Sequence, residues 1–257
     1  MENERSPSPF QPATEVSEAK AGEANEAKQA AGEAGAALVE DGMRVGLGTG
    51  STTAFALRAL GRRLRNGELE DVVGVPTSFA AERRARGEAI PLTALDEAGG
   101  LDLALDGADE VDPALNLIKG RGAAHTREKI VAAEATRFAV LLDDSKRVKR
   151  LGERAPVPVE IVPMALAPVT RLLEARGARA TELRSGQGKD GPVVTDQGLW
   201  VVDARFAYGI PDPEALAEAL DRQPGVLDHG LFLGRATDVL VGRESGDAEH
   251  HQREERA

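Results

Sequence analysis

An α/β fold is what this sequence predicts, on three observations. Short apolar runs of strand length alternate with helix-forming stretches from Met43 to Leu142. A glycine-rich turn, Gly46-Leu47-Gly48-Thr49-Gly50-Ser51-Thr52, follows the first apolar run directly and opens a helix-forming segment. Near Pro156-Val157-Pro158 the order changes to strand, helix, paired strands, helix. The first two imply a mainly parallel, Rossmann-like sheet with helices on both faces. The third implies a smaller α+β, ferredoxin-like lid domain.

Residues 1–16 are polar, acidic and proline-containing, with little to bury, and are expected to be a disordered extension. The Ala-, Glu- and Lys-rich stretch Ser17–Glu40 favours helix, with Ala34, Ala37 and Leu38 at helical spacing. Asp41-Gly42 ends it, and Met43–Leu47 suits a buried strand. Thr53–Leu64 is the next helix, Val72–Val75 a strand, and Ser78–Arg86 a helix. Leu101–Leu105 is a strand that delivers Asp106 at its carboxyl end. Thr126–Thr136 is a helix and Phe138–Leu142 a strand. These elements form an α/β domain over 17–155, to which 227–243 is expected to return. Binding sites of such sheets lie beyond the carboxyl ends of the strands, where all the chemically rich turns of this chain fall.

In the segment 156–226, Val159–Val162 reads as a strand and Ala167–Arg176 as a helix. Val193-Val194 and Leu199–Asp203 read as a hairpin around Asp196-Gln197-Gly198, and Pro213–Arg222 as a helix. Val226–Leu233 and Val239–Val241 are expected to rejoin the first sheet. The tail 244–257 is highly charged and expected to be mobile.

Composition narrows the function. A net charge of -11 disfavours nucleic acid, whose phosphates call for a basic footprint. With no cysteine there is neither a disulfide nor a thiolate metal site. No apolar run approaches the ~20 residues that span a bilayer, and residues 1–16 lack the apolar stretch of a secretory signal. A soluble cytoplasmic protein, bound to neither membrane nor nucleic acid, is the expectation.

The Gly46–Thr52 turn fits neither a dinucleotide fingerprint, which wants glycine at Ser51, nor a P-loop, which needs a Lys-Ser/Thr pair. Its hydroxyls at a helix N-terminus suit a phosphate, although ordinary helix capping uses the same residues. Asp106 and Asp109, three apart after a strand, suit acid–base work or metal binding, or else a loop turn. Two of the four histidines, His250 and His251, lie in the tail. That leaves His125 and His229, too few for a transition-metal cluster, so neither metal nor cofactor is expected. Lys119 and Glu128 frame Gly120 and Gly122, where a backbone nest can hold an anion. Together these residues suit proton abstraction beside a carbonyl in a phosphorylated sugar.

The chain resembles the type A ribose-5-phosphate isomerase family. The resemblance rests on Gly46–Thr52, Asp106–Glu110, Lys119–Ile130, Asp143-Asp144-Ser145-Lys146, Val157–Ala165 and Gly230-Leu231-Phe232, in family order, and covers roughly Lys28 to Gly242. It implies interconversion of ribose 5-phosphate and ribulose 5-phosphate through an enediol(ate), without a cofactor, in a homodimer or homotetramer. It implies that Glu128 is the catalytic base, with Lys119, Asp106 and Asp109 beside it. Thr49, Gly50, Ser51 and Thr52, then Asp106, Gly107, Ala108 and Asp109, then Lys119, Gly120, Arg121 and Gly122, and finally Lys146, match substrate-binding segments. Lys28 matches a phosphate-proximal lysine. Two positions depart from the family: Arg121 stands where glycine is usual, and His125 where an aliphatic residue is usual. Arg121 can add a cation for phosphate or enediolate, while His125 is read as a packing substitution close enough to Glu128 to affect its pKa. The competing reading is a non-catalytic sugar-phosphate-sensing regulatory domain of related fold.

Overall fold

The computed structural model describes residues 13–186, 188 and 190–253, with side-chain surroundings from residue 24 onward. The first domain opens with α1 (Ala13–Ala37), β1 (Arg44–Leu47), α2 (Ser51–Arg65), β2 (Val73–Pro76), α3 (Phe79–Gly87) and α4 (Leu95–Ala98). It continues with β3 (Leu101–Gly107), β4 (Glu110–Val111), β5 (Leu117–Ile118), α5 (His125–Glu134) and β6 (Ala135–Asp143). There follow β7 (Val157–Ile161), α6 (Leu166–Ala175), β8 (Ala180–Leu183), β9 (Trp200–Arg205), α7 (Pro213–Asp221) and β10 (Val226–His229). The chain closes with β11 (Leu231–Phe232), β12 (Asp238–Gly242) and β13 (Ala248–Gln252).

The main sheet has the order β13-β12-β6-β3-β1-β2. All its pairs are parallel except β12–β13. Its parallel part is the doubly wound 2-1-3-4-5 order, in which the chain reverses direction between β1 and β3 and opens a crevice there. Alternate residues of the strands serve opposite faces. Leu103, Leu105 and Leu141 pack with Ala31 of α1 and with Leu57 and Leu60 of α2. Ala104, Val140 and Leu142 pack with Val131 and Ala132 of α5. Burial on both faces is why these strands read as unbroken apolar runs.

The second domain has the antiparallel order β10-β7-β9-β8, with α6 and α7 inserted in a β-α-β-β-α-β sequence, as the ferredoxin-like expectation requires. Val169 and Leu173 of α6 and Leu216 and Leu220 of α7 close its core over Val157, Val159 and Val202. Asp212 caps α7 by accepting from Ala215 N at 2.8 Å, and Pro213 occupies the first helical position, where its missing N–H loses nothing. Among the described residues no helix is long and apolar enough to cross a membrane.

Four expectations need correction. The run Val226–Leu233 does not rejoin the main sheet: Val226–His229 pairs with β7, and Leu231–Phe232 pairs with β5. The break falls at Gly230, whose amide donates to the Pro158 carbonyl at 2.7 Å and whose carbonyl accepts from Lys119 N at 2.9 Å, and where a Cβ would lie 2.2 Å from the Lys119 carbonyl oxygen, so only glycine fits there. Only Asp238–Gly242 returns, beside β6. Secondly, the tail from 244 is not wholly irregular: Ala248–Gln252 covers the β12 edge, which would otherwise expose a row of unpaired backbone groups. Thirdly, Val193-Val194 forms no strand; Val194 makes a single bridge to Trp200, and β9 lies between β7 and β8, whose half-exposed Ala-Thr-Glu-Leu carries little apolar signal. Lastly, α1 begins at Ala13, inside the segment expected to be disordered, while residues 1–12 of that segment lie outside the described residues.

Buried Asp238 ties β12 to its neighbours. It accepts from Arg137 Nη2 at 2.8 Å, His250 Nε2 at 2.7 Å, Gln252 Nε2 at 3.2 Å and Thr237 Oγ1 at 2.6 Å. Burial pushes its pKa up, but these hydrogen bonds outweigh burial and hold it below the usual carboxylate range. A depressed folded-state pKa adds stability that is present above the unfolded value, about 3.9, and is lost as pH falls through the folded value. Asp238→Ala is therefore expected to lower unfolding stability by about 2–3 kcal/mol at pH 7. The gap should narrow below pH ~4, as urea titrations at both pH values would show.

Candidate active site

The site is built where the switch-point crevice opens, at the carboxyl ends of β1 and β3. Gly48 leaves β1 pressed against Asp106; a Cβ at this position would sit 2.3 Å from Asp106 Cγ, so no larger residue fits. Asp106 Oδ1 then accepts from Thr49 N at 3.1 Å and from Gly107 N at 2.7 Å. The Thr49 hydroxyl bonds Thr77 Oγ1 at 3.0 Å and Ser78 Oγ at 2.7 Å, which locks the turn against the start of α3. Gly50, at φ 139°, is the N-cap of α2 and supplies no side-chain cap. The first-turn amides of α2 therefore remain available to an anion, with the Ser51 hydroxyl exposed beside them.

Lys119 follows β5 into the same place. Its Nζ lies 3.1 Å from Asp106 Oδ2 and 3.1 Å from Glu128 Oε2, and donates to the Gly107 carbonyl. Glu128 stands in the first turn of α5, where the positive end of the helix favours a carboxylate. All three side chains are at most 5% exposed. Asp106 Oδ2 and Glu128 Oε2 receive no hydrogen bond of good geometry; the ammonium meets them as an ion-pair partner only.

Burial and mutual charge shift the ionisation of all three groups. For Lys119 burial favours the neutral form, yet the adjacent Asp106 and Glu128 outweigh it and push its pKa up to about 12. Burial and then the charge of Asp106 push Glu128 up to about 8, against the pull of Lys119. Burial also raises Asp106, opposed by Lys119 and by the Gly107 and Thr49 amides. The two carboxyls titrate as a pair, of which Glu128 is the member raised to about 8.

A cleft of about 330 Å³ opens over the trio. Its walls are the Thr49–Thr53 turn, Gly107–Asp109, Lys119–Gly122 and Glu128, joined by Lys28 from α1 and Lys146. Every residue expected at the site thus lines one cavity, except Asp106, which lies behind Lys119. A roomier groove of about 580 Å³ beside α4 gathers no buried ionisable group. Among the described residues no group of three or more His, Asp or Glu side chains is placed to hold a metal ion.

The two departures are readily accommodated. Left-handed backbone in this loop belongs to Gly120, at φ 109°, and Ala123, at φ 56°; Arg121 needs no glycine-like conformation. The Arg121 amide donates to Asp109 Oδ2 at 3.0 Å, which fixes that carboxylate. His125 is fully buried, and burial together with Lys129, Arg184 and His229 pushes it down to about 3. It is therefore neutral at physiological pH and lends Glu128 no charge; Asp106, Lys119 and Asp109 are the charges that act there.

Sequence reasoning missed several contributors. Arg184, at the end of β8, donates to the carbonyls of Gly120 at 2.8 Å and Arg121 at 3.1 Å, and is itself oriented by Asp203 at 2.7 Å. Nothing local marks it, because it reaches the Gly120–Arg121 loop from the other domain. Thr53 lines the cleft with a buried, unpartnered hydroxyl. Ser78 carries a legible N-cap signal, accepting from Ala81 N at 3.0 Å, but not its bond to Thr49.

Fold and cleft together define a class: doubly wound α/β proteins with a ferredoxin-like second domain and a small-molecule cavity at the switch point. Comparison narrows this. A family model described as ribose 5-phosphate isomerase A (phosphoriboisomerase A) matches residues 73–246. The chain is 59% identical to ribose-5-phosphate isomerase A of Thermosynechococcus vestitus over 210 residues, covering 82% of this chain and 88% of the relative. It is 52% identical to the same-named protein of Thermococcus kodakarensis over 208 residues, covering 81% and 90%. A solved D-ribose-5-phosphate isomerase in complex with phospho-erythronic acid superposes with TM-score 0.84 at 44% identity, covering 88% of this chain and 97% of that one. The ribose 5-phosphate isomerase A structure from Methanocaldococcus jannaschii gives 0.82 at 43%, with the same coverage. The chain belongs to the ribose 5-phosphate isomerase A family.

Removing Lys119 leaves two buried carboxyls without their cation. Lys119→Met is expected to lower stability by about 3–5 kcal/mol at pH 8. Carboxyls whose folded pKa is raised lose stability progressively as pH rises from their unfolded value, about 4, up to the raised one, so the deficit should shrink towards pH 5. Chemical denaturation at both pH values tests this.

Proposed function

We propose that this chain is the aldose–ketose isomerase that interconverts D-ribose 5-phosphate and D-ribulose 5-phosphate through an enediol(ate). The observation that carries the reading is Glu128, buried and raised to about 8, with its carboxylate 3.1 Å from the Lys119 ammonium. A carboxylate of ordinary pKa is a weak base towards a carbon acid; raising it near the working pH removes much of that mismatch. In the open-chain sugar, Glu128 takes the proton from C2 and the electron pair forms the C1–C2 double bond of the enediolate. The negative charge gathers on O1 beside Lys119, an ammonium at every physiological pH. The proton of the C2 hydroxyl passes to O1, and Glu128 returns its proton to C1 as the C2–O bond becomes the carbonyl of the ketone. Asp106 holds Lys119 in place, and Asp109 orients substrate hydroxyls or aids ring opening.

The phosphate binds at the uncapped start of α2, with Ser51, Thr52, Lys28 and Lys146 around it. Fixed there, it orients the reactive carbons over Glu128. The phospho-erythronic acid of the related complex fits this reading chemically, since its carboxylate offers the paired oxygens of an enediolate and its phosphate the handle. Gly120, Arg121 and Gly122 close the cleft from the side. We infer a homodimer or homotetramer, as the family resemblance implies. Size-exclusion chromatography with light scattering tests it. We also infer a cytoplasmic location, in keeping with the acidic composition.

Incubating the purified, EDTA-treated protein with ribose 5-phosphate should yield ribulose 5-phosphate; its absence overturns the reading in favour of a sugar-phosphate sensor. Glu128→Gln should nearly abolish turnover while KM stays within roughly tenfold, because the base acts mainly in the transition state. Because Glu128 must be ionised, kcat/KM should rise with pH along an acidic limb near 8, far above an ordinary glutamate. Ser51→Ala combined with Thr52→Ala should chiefly raise KM, and an unchanged KM would remove the phosphate assignment.

A further inference from the structure

A second buried carboxyl lies outside this cleft and is unused by the chemistry above. Glu160 of β7 is 0% exposed and accepts hydrogen bonds from two hydroxyls, Thr126 on one oxygen and Thr195 on the other. Thr126 belongs to the first turn of α5, two residues before Glu128. Thr195 opens a turn of the second domain, where its oxygen accepts from Gln197 N and Leu199 N, both at 3.2 Å. A hydroxyl has one proton and two lone pairs, so Thr195 is fully satisfied and its geometry is determined.

The next residue of that turn extends the link. Asp196 Oδ2 accepts from Phe79 N at 2.9 Å, at the start of α3, and lies 3.6 Å from Arg127 Nη1 of α5. The residue before Phe79 is Ser78, which bonds the Thr49 hydroxyl. One turn of the second domain thus grips the starts of the two helices that carry Glu128 and brace the Thr49 turn. α5 needs the grip, because its N-cap residue, Ala124, supplies no side-chain cap and an uncapped first turn frays.

We propose that Glu160 and Asp196 are positioning residues through which the second domain holds Glu128 and the Thr49 turn at catalytic distance. The proposal rests on Glu128 being the base. A shift of about 1 Å in a reacting group lowers the rate by about a hundredfold, so a strut that acts through Thr126 should be visible in kcat. It should be visible in pH dependence too: a loosened first turn admits water to Glu128, relieves its desolvation and returns its pKa towards the ordinary range.

The test is steady-state kinetics across pH for Thr126→Val, Thr126→Ser and Asp196→Ala, with Glu128→Gln in parallel. Thr126→Val keeps the shape of the side chain but severs the link. It should lower kcat by about 10- to 100-fold with KM changed less than about threefold, and move the acidic limb to lower pH. Thr126→Ser, which restores the hydroxyl, should recover most of the rate. Asp196→Ala loosens both helix ends and should lower kcat/KM by at least about fivefold. A Thr126→Val protein with wild-type kcat and an unmoved acidic limb, even one that melts earlier, overturns the proposal. Should Thr126→Val fail to fold, Asp196→Ala decides, since its partly exposed side chain leaves the core intact: wild-type kcat/KM in that variant overturns the proposal. Activity surviving in Glu128→Gln would instead overturn the assignment of the base.

Discussion

One ammonium between two buried carboxyls is the constraint on which the site depends. Lys119 would be costly to bury alone, as would Asp106 and Glu128. Their mutual contacts at 3.1 Å make the burial tolerable, and the surplus negative charge leaves one carboxyl prone to hold a proton near neutral pH. In the proposed chemistry the same arrangement makes Glu128 basic and keeps a permanent cation where negative charge develops. Asp106 serves chiefly as an anchor, held by two backbone amides that Gly48 allows to approach. Much of the surrounding structure keeps these atoms dry and in place.

The doubly wound sheet supplies the place. Reversal of direction between β1 and β3 splays the chain at their carboxyl ends, so the Thr49 turn and the Asp106–Asp109 segment face one crevice. Helix α2 starts there and offers its uncapped amides to an anion. The β4–β5 hairpin returns Lys119 to the same point, and α5 adds Glu128 from the other side. The second domain closes the arrangement with Arg184 on the Gly120–Arg121 carbonyls and with the Glu160 and Asp196 contacts. It is therefore less a detached cover than a brace for the loops of the first domain.

Much of this was legible in the chain itself. Apolar runs buried on both faces, such as Leu101–Leu105 and Phe138–Leu142, announce a parallel sheet because no polar alternation interrupts them. The glycine and hydroxyl spacing of Gly46–Thr52 and the Asp106, Lys119 and Glu128 positions marked the cleft residues, since close approach and charge demand particular residue types at particular places. Less visible were elements whose stability comes from a neighbour. The short β8, the β4–β5 pair and β13 carry weak local signals and form because an edge or a hairpin partner awaits them.

Local pattern by itself determined the strands and helices of the sheet, the turn chemistry and the candidates for acid, base and cation. Tertiary structure alone decided that Val226–His229 joins the second domain, that His125 is neutral, and that Arg184, Glu160 and Asp196 reach across to the segments that frame the cleft. The reason is range. Backbone propensity and periodicity act over a few residues and leave their mark in sequence, whereas desolvation, ion pairing and cross-domain hydrogen bonds depend on which distant segments meet in space.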